Sequence, residues 1–306
     1  MSDSERLRSR RVPEGRSGVP LTLTRRRAGW TFVQFGIRQI AAGDDWADRS
    51  GRDEVCLVLL AGACRVRWTP GGTRDERLGP RADVFGGYPH AVYLPPGTRF
   101  SVEADEPTQL ADCRAPADRA FPPRVVRPED CGYEIRGGGN ASRHIVDILP
   151  VAFPAARLLV CEVYTPGGNW SSYPPHKHDE DNPPLEAALE ETYYYRFRNK
   201  DAFGLQRLYT ADGRTDRVLT VADGDLVLIR RGYHPFVTAF GYDAYYLNVL
   251  AGARRSMATT DDPRYAAFRR AWPAPDSRLP LVTPPYAPSS APQPSWMAEA
   301  TPRLTP

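Results

Sequence analysis

Residues 167–197 read GGNWSSYPPHKHDEDNPPLEAALEETYYYRF, and residues 223–236 read DGDLVLIRRGYHPF. His176 and His178 stand two apart, so on an extended strand both imidazoles leave from one face. Glu191 opens an apolar run in which Tyr193 and Tyr195 share its face. In the second stretch a strand and a turn at Gly232 precede His234, and an antiparallel return across a barrel brings this third imidazole to the same point. Three imidazoles and one carboxylate suit Zn, Mn, Fe, Ni or Co and leave positions open for water or substrate, an arrangement fit for Lewis-acid chemistry. The expected ligands are therefore His176, His178, Glu191 and His234. Glu186 and Glu190 compete for the carboxylate position, because a helical LEAALEE over 185–191 would present both on one face. The strand phase of Tyr193 and Tyr195 favours Glu191. His90 and His144, the remaining histidines, are weaker candidates.

Outward from this segment the chain reads as short strands bounded by Gly, Pro or Asp: TLTRRRAGWTFVQFGIRQI (22–40), EVCLVLLAGACRVRW (54–68) and AVYLPPGTRFSVEA (91–104). In the first of these, alternation sets Trp30, Phe32 and Gln34 against Phe35 and Ile37. Regular short strands with turn residues between them predict an all-β sandwich or barrel. Helical signals are few. One or two turns are expected over 185–191, and the best helix candidate is DDPRYAAFRRAW (261–272), where Tyr265, Phe268 and Trp272 fall three and four apart.

The 306 residues suit two domains. The expected division is a flexible extension over 1–19, a metal-free barrel over 20–125, a metal-binding barrel over 126–258, and a short helix with an extended Pro-rich tail over 259–306. RAPADRAFPPRVVRP (114–128) is read as the linker. The tail is expected to wrap over a neighbour or to be disordered. The two blocks read as a degenerate repeat. Gly97 aligned with Gly232 sets Arg99 against His234, and DEVCLVLL (53–60) aligned with EETYYYRF (190–197) sets Glu54 against Glu191. No His-x-His precedes Glu54, so only the second block is expected to carry metal.

Composition narrows the function. Forty basic residues against 37 acidic ones give a formal charge of +3, spread along the chain rather than gathered in a block, which disfavours a nucleic-acid partner. The five cysteines form no CxxC and are odd in number, against a disulfide framework and for a reducing compartment. No stretch approaches the ~20 apolar residues of a membrane span. MSDSERLRSRRVPEGRSG lacks the apolar core of a secretory signal, so a cytoplasmic protein is expected.

The His-x-His, Glu and Gly-x-His pattern resembles the two cupin signatures, although residues 179–190 intervene where a cupin usually has only a few, and Arg230 stands where proline is common. SSYPPHKHD, LEETYYYRF, DGDLVLIRRGYHPF, GYDAYYLNVLAG and DDPRYAAFRRAW…DSRLPLV, in that order, closely resemble the 5-deoxy-glucuronate isomerase family of bacterial myo-inositol catabolism, related to 4-deoxy-uronate isomerases. The resemblance implies two tandem cupin (double-stranded β-helix, jelly-roll) barrels and an aldose–ketose isomerase converting 5-deoxy-glucuronate to 5-dehydro-2-deoxy-gluconate. It also implies a divalent metal on His176, His178, Glu191 and His234, Zn or Mn before Fe, and no organic cofactor. The relatives' ligand Glu is followed directly by an aromatic strand, which supports Glu191 over Glu190. The expected partner is a small sugar acid, and a homo-oligomer is expected. Candidates for the base are a metal-bound hydroxide, Glu190, Tyr193 and Tyr195. Candidates for the cation that binds the substrate carboxylate are Arg143, Arg231 and Lys177, although Lys177 alternates away from its flanking histidines. A metal-dependent cupin dioxygenase and a non-catalytic sugar-acid-binding cupin are the alternative functions.

Overall fold

The computed structural model describes residues 5–69 and 74–283. Two curled β assemblies follow each other along the chain. In the first, the sheet runs in the order Arg124–Val126, His90–Leu94, Asp53–Thr69, Thr108–Pro116, Gln34–Ile40 and Gly18–Leu23. The 17-residue Asp53–Thr69 strand spans both layers of the barrel. Its first half pairs with His90–Leu94 and Thr108–Pro116, and its second half with Arg74–Arg81 and Arg99–Ala104. In the second assembly the order is Arg6–Arg8, Asp225–Ile229, Leu189–Phe197, Ala244–Gly252, Leu159–Thr165, Arg143–Leu149 and Tyr133–Arg136. A four-stranded sheet (Trp170–Ser171, Phe236–Thr238, Phe203–Tyr209, Asp216–Ala222) faces it, and His176–Lys177 pairs with Thr260–Asp261.

Strict alternation along the central strands sorts their side chains into separate cores. Val55, Leu57 and Leu59 fill the first barrel, while Cys56, Val58 and Leu60 point outward into the layer between barrels. Tyr193 and Tyr195 likewise face into the second barrel, and Tyr194 faces out to meet Phe35 of the first at a centroid distance of 5.7 Å. Both sheets thus have two buried faces, which explains why their central strands are nearly continuous apolar runs. The layer between them also holds a buried ion pair, Arg81 with Glu162, in which two guanidinium nitrogens each lie 2.8 Å from a carboxylate oxygen. Glu162 accepts further bonds from the Tyr164 and Tyr245 hydroxyls, so its charge is fully solvated by protein.

Several sequence expectations change. The stretch 1–19 is not wholly a flexible extension: Arg6–Arg8 adds an antiparallel strand to Asp225–Val227 of the second barrel, and Arg8 pairs with buried Asp225 at 3.1 Å. The 114–128 linker contains strand residues at both ends, because Thr108–Pro116 stays in the sheet and Arg124–Val126 returns to pair with Ala91–Tyr93. LEAALEE is not helical; prolines 183 and 184 sit in a turn, Glu186 bridges back to Asn182, and the strand begins at Leu189. The C-terminal helix reduces to a 3-10 turn at Ala266–Arg270. Tyr265 and Phe268 there pack on Tyr173 rather than forming a helical stripe. The sequence places no helix at Arg25–Ala28, yet one turn forms, closed by Thr24 at its start and by left-handed Gly29 at its end. Of the expected tail, Ala274 and Asp276 bond back to Gly139 and Ser142, while residues 284–306 lie outside the described residues.

The repeat is present, with its register one residue from the sequence alignment. Glu54 pairs with Ala115 and Glu190 with Ala251 in corresponding strands. Val55 pairs with Leu94 as Glu191 does with Ile229. The counterpart of Glu191 is therefore Val55, and the counterpart of Glu54 is Glu190. The alignment of Arg99 with His234 fits this frame.

Candidate active site

The second barrel brings His178, Glu191 and His234 together, with ligand atoms all within 4.8 Å of one another and all three residues buried. His178 Nε2 lies 2.8 Å from Glu191 Oε2, and His234 Nε2 lies 3.2 Å from the same oxygen. His176 stands at the edge of this group, its ring 4.8 Å from that of His234 and 6.5 Å from that of His178. Each imidazole is oriented by a backbone carbonyl at Nδ1: Pro174 at 3.3 Å for His176, Leu189 at 3.1 Å for His178, and Gly232 at 3.1 Å for His234. This arrangement assigns the proton to Nδ1 and leaves each Nε2 lone pair free, those of His178 and His234 facing Glu191.

Two observations show that this donor set fits a cation. An Nε2 lone pair at 2.8 Å from a carboxylate oxygen is repulsive unless a proton or a cation lies between them. His234 Nε2 is buried without a hydrogen-bond partner, its approach to Glu191 being poorly directed for a bond. Electrostatics follow the same geometry. Burial works against protonation of His178, but the Glu191 charge and hydrogen bond outweigh it and raise its pKa. Burial lowers His234, with Glu191 opposing. Burial also lowers His176 far, reinforced by His234, His178 and Arg143. Burial would raise Glu191, yet the two imidazoles hold it below the usual carboxylate range.

A cavity of about 380 Å³ opens from this cluster. Arg143 lines it, 4 % exposed, donating to the Tyr173 carbonyl at 3.3 Å and making no ion pair among the described residues. Arg136 and Arg269 also line it, but Glu134 and Asp261 hold them at 2.7 Å. Tyr193 lines the cavity with its hydroxyl 2.8 Å from Ser172 Oγ. Ser172 has φ 53°, the non-glycine residue with positive φ among those described, a strained backbone placed at the site.

Six other candidates lie elsewhere. Glu190 points out of the barrel and accepts the backbone N–H groups of Thr31, Phe32 and Val33, so it is not free to act as a base. Tyr195 donates to Gln206 and is not on the cavity wall. Lys177 turns to Asp179, Glu180 and Glu186. Arg231 is a surface residue, its side chain 59 % exposed and 3.8 Å from Asp212, and it does not line the cavity. His144 is buried against Tyr88 and Tyr164 between the barrels, and burial lowers it to about 4; burial likewise takes His90 to about 4.

Sequence reasoning missed Tyr246, Asn248, Asp147 and Asp261 on the cavity wall. The first three were reachable by alternation, since Arg143, Ile145 and Asp147 share one strand face and Tyr246 and Asn248 another. Asp261 was not, because only its pairing with His176 brings it there.

Residues 7–268 match the KduI/IolB family. The chain is 42% identical over 252 residues to a 5-deoxy-glucuronate isomerase of Geobacillus kaustophilus, covering 80% of this chain and 89% of the relative. It is 38% identical over 263 residues to the Bacillus subtilis 5-deoxy-glucuronate isomerase, covering 85% and 96%. The crystal structure of an IolB-like protein from Salmonella typhimurium superimposes with a TM-score of 0.81 at 38% identity, covering 86% of this chain and 98% of that one. Oxalate decarboxylase from Lactobacillus farciminis shares the fold alone, with a TM-score of 0.62 at 12% identity over 85% of this chain and 89% of that one. Two cupin barrels, a His/Glu cluster in the second and a match over nearly the whole described chain make this protein an enzyme of the KduI/IolB family.

Proposed function

We propose that the chain isomerises 5-deoxy-glucuronate to 5-dehydro-2-deoxy-gluconate, with a divalent cation, Zn or Mn before Fe, held by His176, His178, Glu191 and His234. The observation that carries this reading is the convergence of the His178 and His234 Nε2 atoms on Glu191 at one end of a cavity that also holds buried Arg143, which makes no ion pair among the described residues. When bound, the cation supplies Lewis-acid polarisation of the substrate's oxygens. The reaction moves a proton between C1 and C2 and a hydroxyl proton between their oxygens, and is redox-neutral overall. Arg143 supplies the counter-charge for the substrate carboxylate, since a buried anion without a partner costs several kcal/mol. The Tyr193–Ser172 hydroxyl pair, 2.8 Å apart, holds a mobile proton beside the cluster. No organic cofactor enters the reading.

The test is to incubate purified protein, loaded with Zn(II) or Mn(II), with 5-deoxy-glucuronate and follow the ketose by NMR. Formation of 5-dehydro-2-deoxy-gluconate without oxygen supports the reading. Turnover strictly dependent on oxygen overturns it in favour of a dioxygenase, and stoichiometric binding without turnover overturns it in favour of a sugar-acid-binding protein.

A further inference from the structure

Each barrel sends a carboxylate onto a run of backbone N–H groups in a loop of the other. Glu190 of the second accepts the N–H groups of Thr31, Phe32 and Val33 at 2.7, 2.8 and 2.8 Å. Glu54 of the first accepts those of Ala156, Arg157 and Leu158 at 2.7, 2.6 and 2.6 Å, and a fourth bond from the Tyr93 hydroxyl at 2.8 Å. The two receiving loops are equivalent, one leading into the Gln34–Ile40 strand and the other into Leu159–Thr165. They also touch, with the Arg157 guanidinium over the Phe32 ring at 5.3 Å. Three N–H donors converging on one ionised carboxylate form a charge-assisted tripod, shorter and stronger than neutral bonds. A tripod also fixes the carboxylate in all directions, which a single bond does not.

The residue after each carboxylate differs between the barrels. In the first barrel it is Val55, packed in an apolar interior. In the second it is Glu191, whose side chain leaves the same strand on the opposite face and enters the His cluster. The preceding residue is also engaged. Leu189 donates its N–H to the His178 carbonyl at 2.9 Å and accepts from His178 Nδ1 at 3.1 Å. Three consecutive residues therefore orient a histidine, anchor the strand and supply the carboxylate. The loop that joins His178 to them makes a wide excursion through residues 179–188, and Thr31–Val33 add an anchor from the other barrel where the strand begins.

We infer that Glu190 is a positioning residue for the cluster, and that the first barrel serves the second by holding its Leu189–Glu191 segment in place through Thr31–Val33. The inference rests on the proposed metal site. It assigns the catalytically silent barrel a function of its own, as the external frame against which Glu191 and His178 are set.

Glu54 provides an internal control, because its tripod is equivalent, joins the same two barrels and reaches a loop, residues 156–158, that carries no ligand. Wild type, Glu190→Gln and Glu54→Gln are titrated with Zn(II) alone against a chromophoric chelator, alongside thermal unfolding of each. Both variants are expected to unfold at lower temperature, while only Glu190→Gln weakens Zn(II) binding, by tenfold or more. Glu190→Asp, which keeps the charge one methylene short, carries the same comparison if the Gln variant is insoluble, with an expected loss of at least threefold. Equal Zn(II) affinity in all soluble variants, or equal weakening in the Glu190 and Glu54 variants, overturns the inference and leaves both tripods as barrel-to-barrel ties. Failure of wild type itself to bind Zn(II) or Mn(II) overturns the metal reading instead.

Discussion

The two barrels share a backbone frame and differ in what fills it. Along the central strand of the first, the inward residues are Val55, Leu57 and Leu59, packed on Val92 and Leu94 of the neighbouring strand. Along the second they are Glu191, Tyr193 and Tyr195, set against Val227 and Ile229. Apolar side chains, mostly aliphatic with Trp68 and Phe100 among them, close the first interior; polar groups and tyrosines line the second, which keeps a cavity edged by Asn248, Tyr246 and Arg143. The same holds one turn later, where Arg99 sends its charge to solvent while His234 is fully buried beneath Gln206, which donates to its carbonyl. This fold therefore tolerates a sealed or an open interior on one set of strand pairings, and chemistry enters through a few inward positions.

Exchanging those positions puts the contrast under the most strain. Glu191→Val gives the second barrel the first barrel's residue, which that backbone accommodates. It is expected to keep the fold, lose stoichiometric Zn(II) and lower kcat/KM by at least about 1,000-fold, ~4 kcal/mol. Calorimetry and metal analysis together check it, and retained metal with retained turnover would remove Glu191 from the site. The converse, Val55→Glu, buries a carboxylate with no cationic partner and is expected to destabilise by roughly 3–5 kcal/mol. A near-wild-type denaturation midpoint would show that the first interior is more polar or plastic than its packing indicates.

Arg143→Met comes next. Its guanidinium lines the second cavity without an ion pair among the described residues, and losing one charge-assisted contact is worth ~1.5–4 kcal/mol, so kcat/KM is expected to fall roughly 10- to 1,000-fold with metal content unchanged. Unaltered kinetics would shift substrate recognition to Arg136 or Arg269, which are already held by acids.

A smaller effect separates the interiors by pH. Burial pushes the Asp147 carboxyl up to about 6 from an ordinary 3.8, with Arg136 opposing and Glu134 adding to it. Between those values the folded chain binds more protons than the unfolded one, so this group's contribution to stability is lost as pH rises through the window. Asp147→Asn is expected to be more stable than wild type by roughly 1–2 kcal/mol at pH 7, with the gap closing towards pH 4. Urea denaturation at the two pH values checks this, and a gap that widens on acidification would reverse the assignment. The smallest effect belongs to Arg231→Ala. Because Arg231 is exposed outside the cavity, kcat/KM is expected to stay within about twofold of wild type, and a tenfold loss in steady-state kinetics would return it to the substrate site.

The strand-rich class, the approach of His178 to Glu191 and the turn that delivers His234 were legible in the linear chain, while His176 stands at the edge of the group. Each follows from local rules: two-residue periodicity, Gly at a left-handed turn, Pro at strand boundaries. Alternation also separated Glu191 from Glu190, because adjacent residues on a strand must face opposite ways. The partners of the outward faces, by contrast, were set by tertiary packing alone. That Glu190 is captured by Thr31–Val33 involves residues 157 to 159 positions away, and no periodicity reports a partner at that separation. The same holds for Asp261 beside His176, for Arg6–Arg8 joining the second barrel, and for Lys177 turning to Glu186. The repeat register slipped by one for a related reason. Glu54 and Glu191 match as letters, yet a strand position is fixed by which neighbour it pairs with and which face it presents, and these are settled only when the two barrels close against each other.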